Sequence, residues 1–338
     1  MSSTVENTEA KQLQAAQEKR SLKKFARKNG TQLGILGVFI LMWTFFIIAA
    51  PTTFLAPQIY LAFMSTIPFF AVVALPLTMV IIAGEMDLSF PSVMAIGMVL
   101  FFWVFTATGS VLLAVLAGLA TGFVVGLING AIVVGIGVPS LVVTIGTQFF
   151  WRGAVLVLLS GKGGTLIEAR DTVAYTLLVG KVGGVPMQMI LLILVAICTW
   201  ILLNRHKLGA YVYVIGDNRQ SAELMGINTK LTRMMVFALV GMAAALAGIL
   251  ASLHVSFFWP SLGEGYLLRT LAAVFLGGTS VFGGVGTIFG TFIGCFIIGA
   301  IEAAIVAIGL TGFWTQLIYG LIIILSVSMH TIVHKKLA

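Results

Sequence analysis

Two carboxylates, Glu85 and Asp87, stand between long apolar runs, in the stretch Gly84-Glu85-Met86-Asp87-Leu88-Ser89-Phe90-Pro91. A carboxylate at membrane depth costs about 2.5–3.5 kcal/mol on insertion scales, so it must face a cavity, a partner or water. The same stretch interrupts a helix at both ends, through Gly84 and Pro91. Broken helices in transporters point their backbone dipoles at substrate. Asp87 and Ser89 are equally suited to capping the helix that follows, with Pro91 in its first turn. The residues alone leave three roles open for this stretch: a cap or loop, a structural cavity face, or direct contact with substrate.

A second set of polar residues interrupts apolar sequence at Asn129, Thr144, Gln148, Arg152, Glu302 and Gln316. Thr144, Gln148 and Arg152 recur every four residues, which puts them on one helix face beside Trp151. That face either lines a polar path or bonds to neighbouring helices, with Arg152 snorkelling outward. Glu85, Asp87, Ser89, Asn129, Thr144, Gln148 and Arg152 are therefore the candidate substrate-path residues. No catalytic or metal set accompanies them. There is no nucleophile elbow, no His-Glu-x-x-His and no Cys-x-x-Cys, and Gly161-Lys162-Gly163-Gly164-Thr165 lacks the spacing of a phosphate-binding loop. The chain alone has no site for hydrolysing ATP.

The elements that must hold these residues follow from composition. Of 338 residues, 59% are hydrophobic and 9% charged, with 38 Gly besides. Soluble domains carry about 25% charged residues, so a soluble globular protein, a disordered chain and a disulfide scaffold are excluded. Cys198 and Cys295 both lie in apolar runs and read as small hydrophobes. Ten apolar segments are expected, at 33–50, 58–83, 91–107, 110–134, 139–159, 187–203, 234–254, 268–282, 286–308 and 313–333, the eighth being the weakest. The fold class is thus an all-α polytopic membrane protein of about ten transmembrane helices. Residues 1–32 are expected to form a polar, basic, uncleaved cytoplasmic tail, since both the charged region and the apolar run after it are too long for a secretory signal, and 33–334 form the membrane domain with a cytoplasmic loop at 204–233.

The net charge of +8 reports orientation rather than nucleic-acid binding. Fourteen of the nineteen Lys and Arg fall in the tail, in 204–233 and at the C-terminus. Positive residues favour the cytoplasmic side, which places both termini and the 204–233 loop there and agrees with an even number of spans. An internal repeat is also visible. Gly118, Gly122, Gly126 and Gly130 form a ladder in the fourth segment, and Gly286, Gly290 and Gly294 one in the ninth. Such small-residue ladders let helix backbones approach closely. Gly84-Glu85 precedes the third segment as Gly263-Glu264 precedes the eighth. An offset of five reverses orientation, so segments 2–5 and 7–10 read as an inverted-topology repeat.

Within 204–233, Asp217 or Asn218 can start a helix and Gly226 can stop it. The short helix between them carries charge on one side and Ala222, Leu224, Met225 and Ile227 on the other. It suits docking to a soluble partner, unless it is a solvated connector.

Several stretches together resemble one family. They are this loop, Gly241–Gly248, Gly265-Tyr266, Ala272-Ala273-Val274-Phe275-Leu276-Gly277-Gly278-Thr279-Ser280 and Gly283-Gly284-Val285-Gly286. Asn129-Gly130, Gly137-Val138-Pro139-Ser140 and Thr144-Ile145-Gly146-Thr147 belong with them, and Gly84–Ser89 is similar to a Gly-Gly-Ile-Asp-Leu-Ser segment. From about residue 33 to 325 the chain resembles the ribose/xylose/arabinose-type sugar permeases of bacterial ABC importers. Two positions depart from that pattern: Glu85 stands at the usual second Gly, and Leu267 stands where Glu often follows Gly-Tyr.

The resemblance implies a permease subunit in the bacterial inner membrane, paired with a second copy or a paralogue. Its expected partners are a periplasmic or lipid-anchored sugar-binding protein and cytoplasmic ATPase subunits carrying ATP and Mg, with no cofactor on this chain. Residues 216–227 would be the coupling helix, with Asp217, Arg219, Glu223, Leu224, Met225 and Gly226 meeting the ATPase. Sister families imply nucleosides or branched-chain amino acids as alternative cargo. An ion-coupled carrier is the rival from another class. It would need titratable residues deep in the membrane, and Glu85, Asp87, Glu264 and Glu302 are the candidates.

Overall fold

The computed structural model describes residues 30–337, without the side chains of 31, 330 and 333–337. The basic tail expected over 1–32 lies outside the described residues as far as residue 29. The described chain is helical almost throughout. The helices are α1 (Gly30–Ala49), α2 (Pro51–Phe54), α3 (Pro57–Thr66), α4 (Pro68–Ile82), α5 (Phe90–Thr108), α6 (Val111–Ile136) and α7 (Ser140–Leu159). They continue with α8 (Val173–Val179), α9 (Met187–Asn204), α10 (Lys207–Asp217), α11 (Arg219–Leu224), α12 (Thr229–Val255), α13 (Tyr266–Leu276), α14 (Ile288–Ala307) and α15 (Phe313–Leu337). Two two-residue antiparallel pairs complete the fold: β1 (Gly164–Thr165) with β4 (Phe257–Phe258), and β2 (Lys181–Val182) with β3 (Val185–Pro186).

Each of the ten expected segments holds a helix, but the number of full spans differs. Among the described residues seven helices are long and apolar enough to cross a membrane, or eight if α3 and α4, bent by 53° at Ile67–Pro68, count as one. The segment expected at 268–282 is helical only to Leu276, because Gly277 and Gly278 (φ +84°) turn the chain. At about 1.5 Å per residue α13 is about 16 Å long, half of a hydrocarbon core of about 30 Å. The last segment, expected at 313–333, lies within α15, which runs from Phe313 to Leu337.

The core is built on α12, which packs against α6, α5 and α4. The closest seam is between α6 and α12. A Cβ added at Gly122, Gly126 or Gly130 would collide with backbone of Gly241, Phe237 or Met234. In lipid, where no hydrophobic effect drives helices together, this backbone proximity is the source of attraction. The second ladder works the same way: Gly290 and Gly294 of α14 meet the carbonyls of Gly277 and Ala273 at the end of α13. Gly286 lies just before α14, against Ile82 and Thr279. The pairing of α5 with α6 is thus matched by that of α13 with α14. Cys198 is exposed and Cys295 buried, both as free thiols.

Candidate functional site

The first break in the helical chain runs from Ile82 to Phe90. Gly84 takes a left-handed turn (φ +78°), and the Gly84 and Glu85 amides close α4 on the carbonyls of Ile81 and Val80. The chain then runs extended along one face of α7. The Met86 amide donates to Ser140 Oγ at 2.9 Å, and Thr144 Oγ1 donates to the Met86 carbonyl at 3.3 Å. Further on, Ser92 Oγ donates to the Gln148 carbonyl at 2.7 Å.

Between these ties lies a buried polar relay. Asp87 Oδ1 accepts from the Ser89 amide at 2.8 Å and from Ser89 Oγ at 2.6 Å. Ser89 Oγ accepts from Asn129 Nδ2 at 2.7 Å, and Asn129 Oδ1 accepts from Trp151 Nε1 at 3.2 Å. Asp87, Ser89 and Asn129 are sealed from the surface, and the half-buried indole of Trp151 is the outer end of the relay. A buried carboxylate needs such donors, and the Ser89 amide at the start of α5 is one of them, so Asp87 also caps that helix.

The second break runs from Trp259 to Gly265. Gly263 (φ +92°) sits so close to Pro91 that a Cβ would strike the Pro91 carbonyl. The two breaks therefore meet here, and Arg152 joins them. Its guanidinium donates to the carbonyls of Pro260, of Leu262 at 2.8 Å and of Pro91 at 3.1 Å, with Glu264 Oε1 at 3.7 Å from Nε. Pro260 and Leu262 lie in the non-helical break, where carbonyls lack intrahelical donors, and one guanidinium, with five N–H groups in a fixed fork, serves both of them and the Pro91 carbonyl in the first turn of α5.

Of the seven candidate path residues, Asp87, Ser89 and Asn129 share the relay. Thr144 and Gln148 flank it through backbone bonds, and Arg152 ties it to the second break. Glu85 points elsewhere. Its carboxylate meets Arg233 Nη2 at 2.5 Å, with side-chain exposures of 11% and 5%. Sequence reasoning counted Arg233 only as part of a basic loop. Its place one turn beyond Thr229, facing the buried side of α12, is the signal that would have singled it out.

The α10–α12 corner lies at the Glu85 end of this site. α11 is capped by Asn218 Oδ1, which accepts from the Ser221 amide at 2.9 Å, and is ended by Gly226 at φ +77°. Glu223 Oε1 accepts from Arg219 Nε at 3.3 Å and from Thr229 Oγ1 at 2.9 Å. The Thr229 hydroxyl first, and Arg219 after it, hold the Glu223 carboxyl below its usual value. Ala222 is buried, whereas Leu224 and Met225 are 89% and 62% exposed. A cleft of about 590 Å³ opens beside α11, between Tyr213, Asp217, Asn218, Ser221, Met225 and Gly284. α10 was not expected from the sequence; it buries Gly209, Val212 and Ile215 along one face.

A family model described as the permease component of a branched-chain amino acid transport system matches residues 59–327. The chain belongs to this permease family. Among its curated relatives, the ribose import permease protein RbsC of Escherichia coli K12 is 32% identical over 259 residues, covering 76% of this chain and 80% of that one. The autoinducer 2 import system permease protein LsrD of Yersinia enterocolitica is 30% identical over 272 residues, covering 77% and 81%. LsrC of an Enterobacter species is 36% identical over 212 residues, covering 62% and 61%. No solved structure matches the chain. As a member of the permease family, the chain is a multi-pass protein of the inner membrane and an importer's transport subunit. The matched region of the permease contains both helix breaks, Arg152, Arg233 and α11.

Proposed function

We propose that the chain is the permease subunit of an ATP-driven importer for a simple sugar or a related polyol. Both termini and α11 would lie in the cytoplasm. The observation that carries this reading is α11: a capped, six-residue helix with Leu224 and Met225 turned to solvent and Arg219, Glu223 and Thr229 bracing it from within. Two exposed apolar side chains beside a cleft suit a groove on a soluble subunit, whereas an ion-coupled carrier has no need of such an element. ATP and Mg would be bound on that partner. A substrate-binding protein would deliver cargo at the face bearing β1 and β4, and a second permease copy or a paralogue would complete the channel. The sugar reading draws on the relatives named for ribose and autoinducer 2 import.

In this scheme ATP-driven closure of the partner moves α11, and the two permease halves rock to expose the Asp87–Ser89–Asn129–Trp151 region alternately to each side. Cargo would touch Trp151 and the edge of the relay, while Asp87 holds the start of α5 in place.

The test is to purify the tagged chain from its native membrane in mild detergent and identify what accompanies it. A stoichiometric ATPase subunit, lost on reversing both Arg219→Glu and Glu223→Arg, supports the reading. Transport by the chain alone in proteoliposomes, on an ion gradient and without ATP, overturns it.

A further inference from the structure

We propose that the Glu85–Arg233 ion pair is the link that transmits motion of α11 to the substrate path, which makes both of them positioning residues for transport. The inference rests on the permease reading above and deepens it. Nothing in that reading assigns Arg233 a role.

Three observations converge on this pair. The first is continuity. Glu223 on α11 holds Thr229 at the start of α12, Arg233 follows one turn later, and Arg233 holds Glu85. Two residues beyond Glu85, Asp87 begins the relay to Ser89, Asn129 and Trp151. The path from coupling helix to candidate cargo contact thus alternates side-chain contacts with two short backbone steps, one turn of α12 from Thr229 to Arg233 and two residues from Glu85 to Asp87. The second is backbone fusion at the same corner. Gly216, one residue before the end of α10, lies against the Ile82 carbonyl; Gly283 lies against Gly84 and Gly216. The Gly284 amide donates to the Ile82 carbonyl at 2.8 Å, and Tyr213 Oη donates to the Gly286 carbonyl at 2.8 Å. The helix that carries α11 is therefore packed on Ile82 at the end of α4 and reaches Gly84 through Gly283, so a shift of α10 bears on the turn at Gly84. The third is spare capacity. Arg233 is 4% exposed, yet its Nε and Nη1 have no acceptor. A buried guanidinium with idle donors is an expensive arrangement in a static structure. It suits a group whose set of partners changes during the transport cycle. Besides Glu85, the charges acting on Arg233 come from Arg219 and Glu223, both on α11. Displacement of α11 moves both of those charges relative to Arg233 and so changes what its idle donors face.

Near-neighbour contacts that are stiff and continuous carry coupling when they end on an element with two arrangements. The stretch from Gly84 to Ser89 is placed to be such an element in the proposed cycle: it is tied along α7 by Met86 and at α5 by Asp87, and on its α12 side by Arg233.

The experiment uses the whole complex, permease with its co-purified ATPase and binding protein, reconstituted in proteoliposomes. Cargo delivered per ATP hydrolysed is measured for the wild type, Glu85→Gln/Arg233→Gln, and the exchange Glu85→Arg/Arg233→Glu. The double Gln variant keeps a polar contact without a charge, so it retains the ATPase. It is expected to deliver at least five-fold less cargo per ATP at near-normal hydrolysis, and the exchange variant to recover part of that loss. A double Gln variant that delivers as much cargo per ATP as the wild type overturns the proposal. A second measurement needs no substitution: hydrogen exchange at the Met86 and Ser89 amides in the wild-type complex, with and without ATP. Exchange that changes several-fold with ATP supports the link, and exchange that does not change overturns it. Should no ATPase accompany the wild-type chain, the permease reading fails first, and that result is separate from either outcome.

Discussion

Arg152 and Arg233 each secure a helix break with a guanidinium, and they do it by opposite means. Arg152 spends its donors on three backbone carbonyls and has its nearest carboxylate, Glu264, 3.7 Å away and 64% exposed. Arg233 makes one contact, to a buried carboxylate, and leaves two nitrogens idle. The first arrangement is a brace: dipoles hold the charge, and the counter-ion in solvent matters little. The second depends on a single charge pair in a dry corner, where losing one partner strands the other. Two breaks that look alike in sequence, each with Gly followed by Glu, are therefore held with different rigidity.

The largest effect should come from Glu85→Gln, which leaves the Arg233 charge buried and uncompensated. A loss of about 3–5 kcal/mol is expected, read as a lowered Tm and a lower folded yield in detergent. Arg152→Lys keeps the charge but not the fork, so at least one of the Pro91, Pro260 and Leu262 carbonyls loses its donor. A cost of about 1–3 kcal/mol is expected in the same thermal assay. Glu264→Gln touches only the exposed partner of Arg152 and should cost under about 1 kcal/mol. If Glu264→Gln proves as damaging as Glu85→Gln, the contrast between brace and ion pair collapses.

The smallest effect concerns acid. The Glu223 carboxyl is held below its ordinary value of 4.5 by Thr229 and Arg219. A depressed carboxylate contributes fully above the ordinary value, and its contribution is lost as pH falls through the depressed one. Exchange protection of the α11 amides should therefore stay constant from neutral pH down to the ordinary carboxylate range and decline only below it.

Much of the site was readable because local chemistry marks it. Asn218 and Gly226 bound α11 as a cap and a stop, and Gly84, Asp87 and Pro91 announce a break followed by a helix start. The glycine ladders show that close helix contacts exist, though not against which helix. What the sequence withheld is pairing at a distance. Arg152 answers to backbone carbonyls, which have no residue type and hence no signature. Glu85 and Arg233 are joined only by the fold. The eighth segment is the weakest of the ten in the sequence, but its expected end falls at 282 because Val281 and Phe282 resume apolar sequence after the helix has ended at a glycine pair. α10 escaped notice because only one face of it is buried and its exposed residues read as loop.

The seam between α6 and α12 has a consequence for how this chain can vary. Where Gly122, Gly126 and Gly130 lie against the backbone of α12 there is no room for any side chain. Any substitution of these glycines adds at least a Cβ. A mutational scan should therefore find almost no tolerated substitution in this strip, alanine included. New cargo preferences would have to arise on the exposed side of α7 and in the loops, while the α6–α12 strip passes unaltered from one variant to the next.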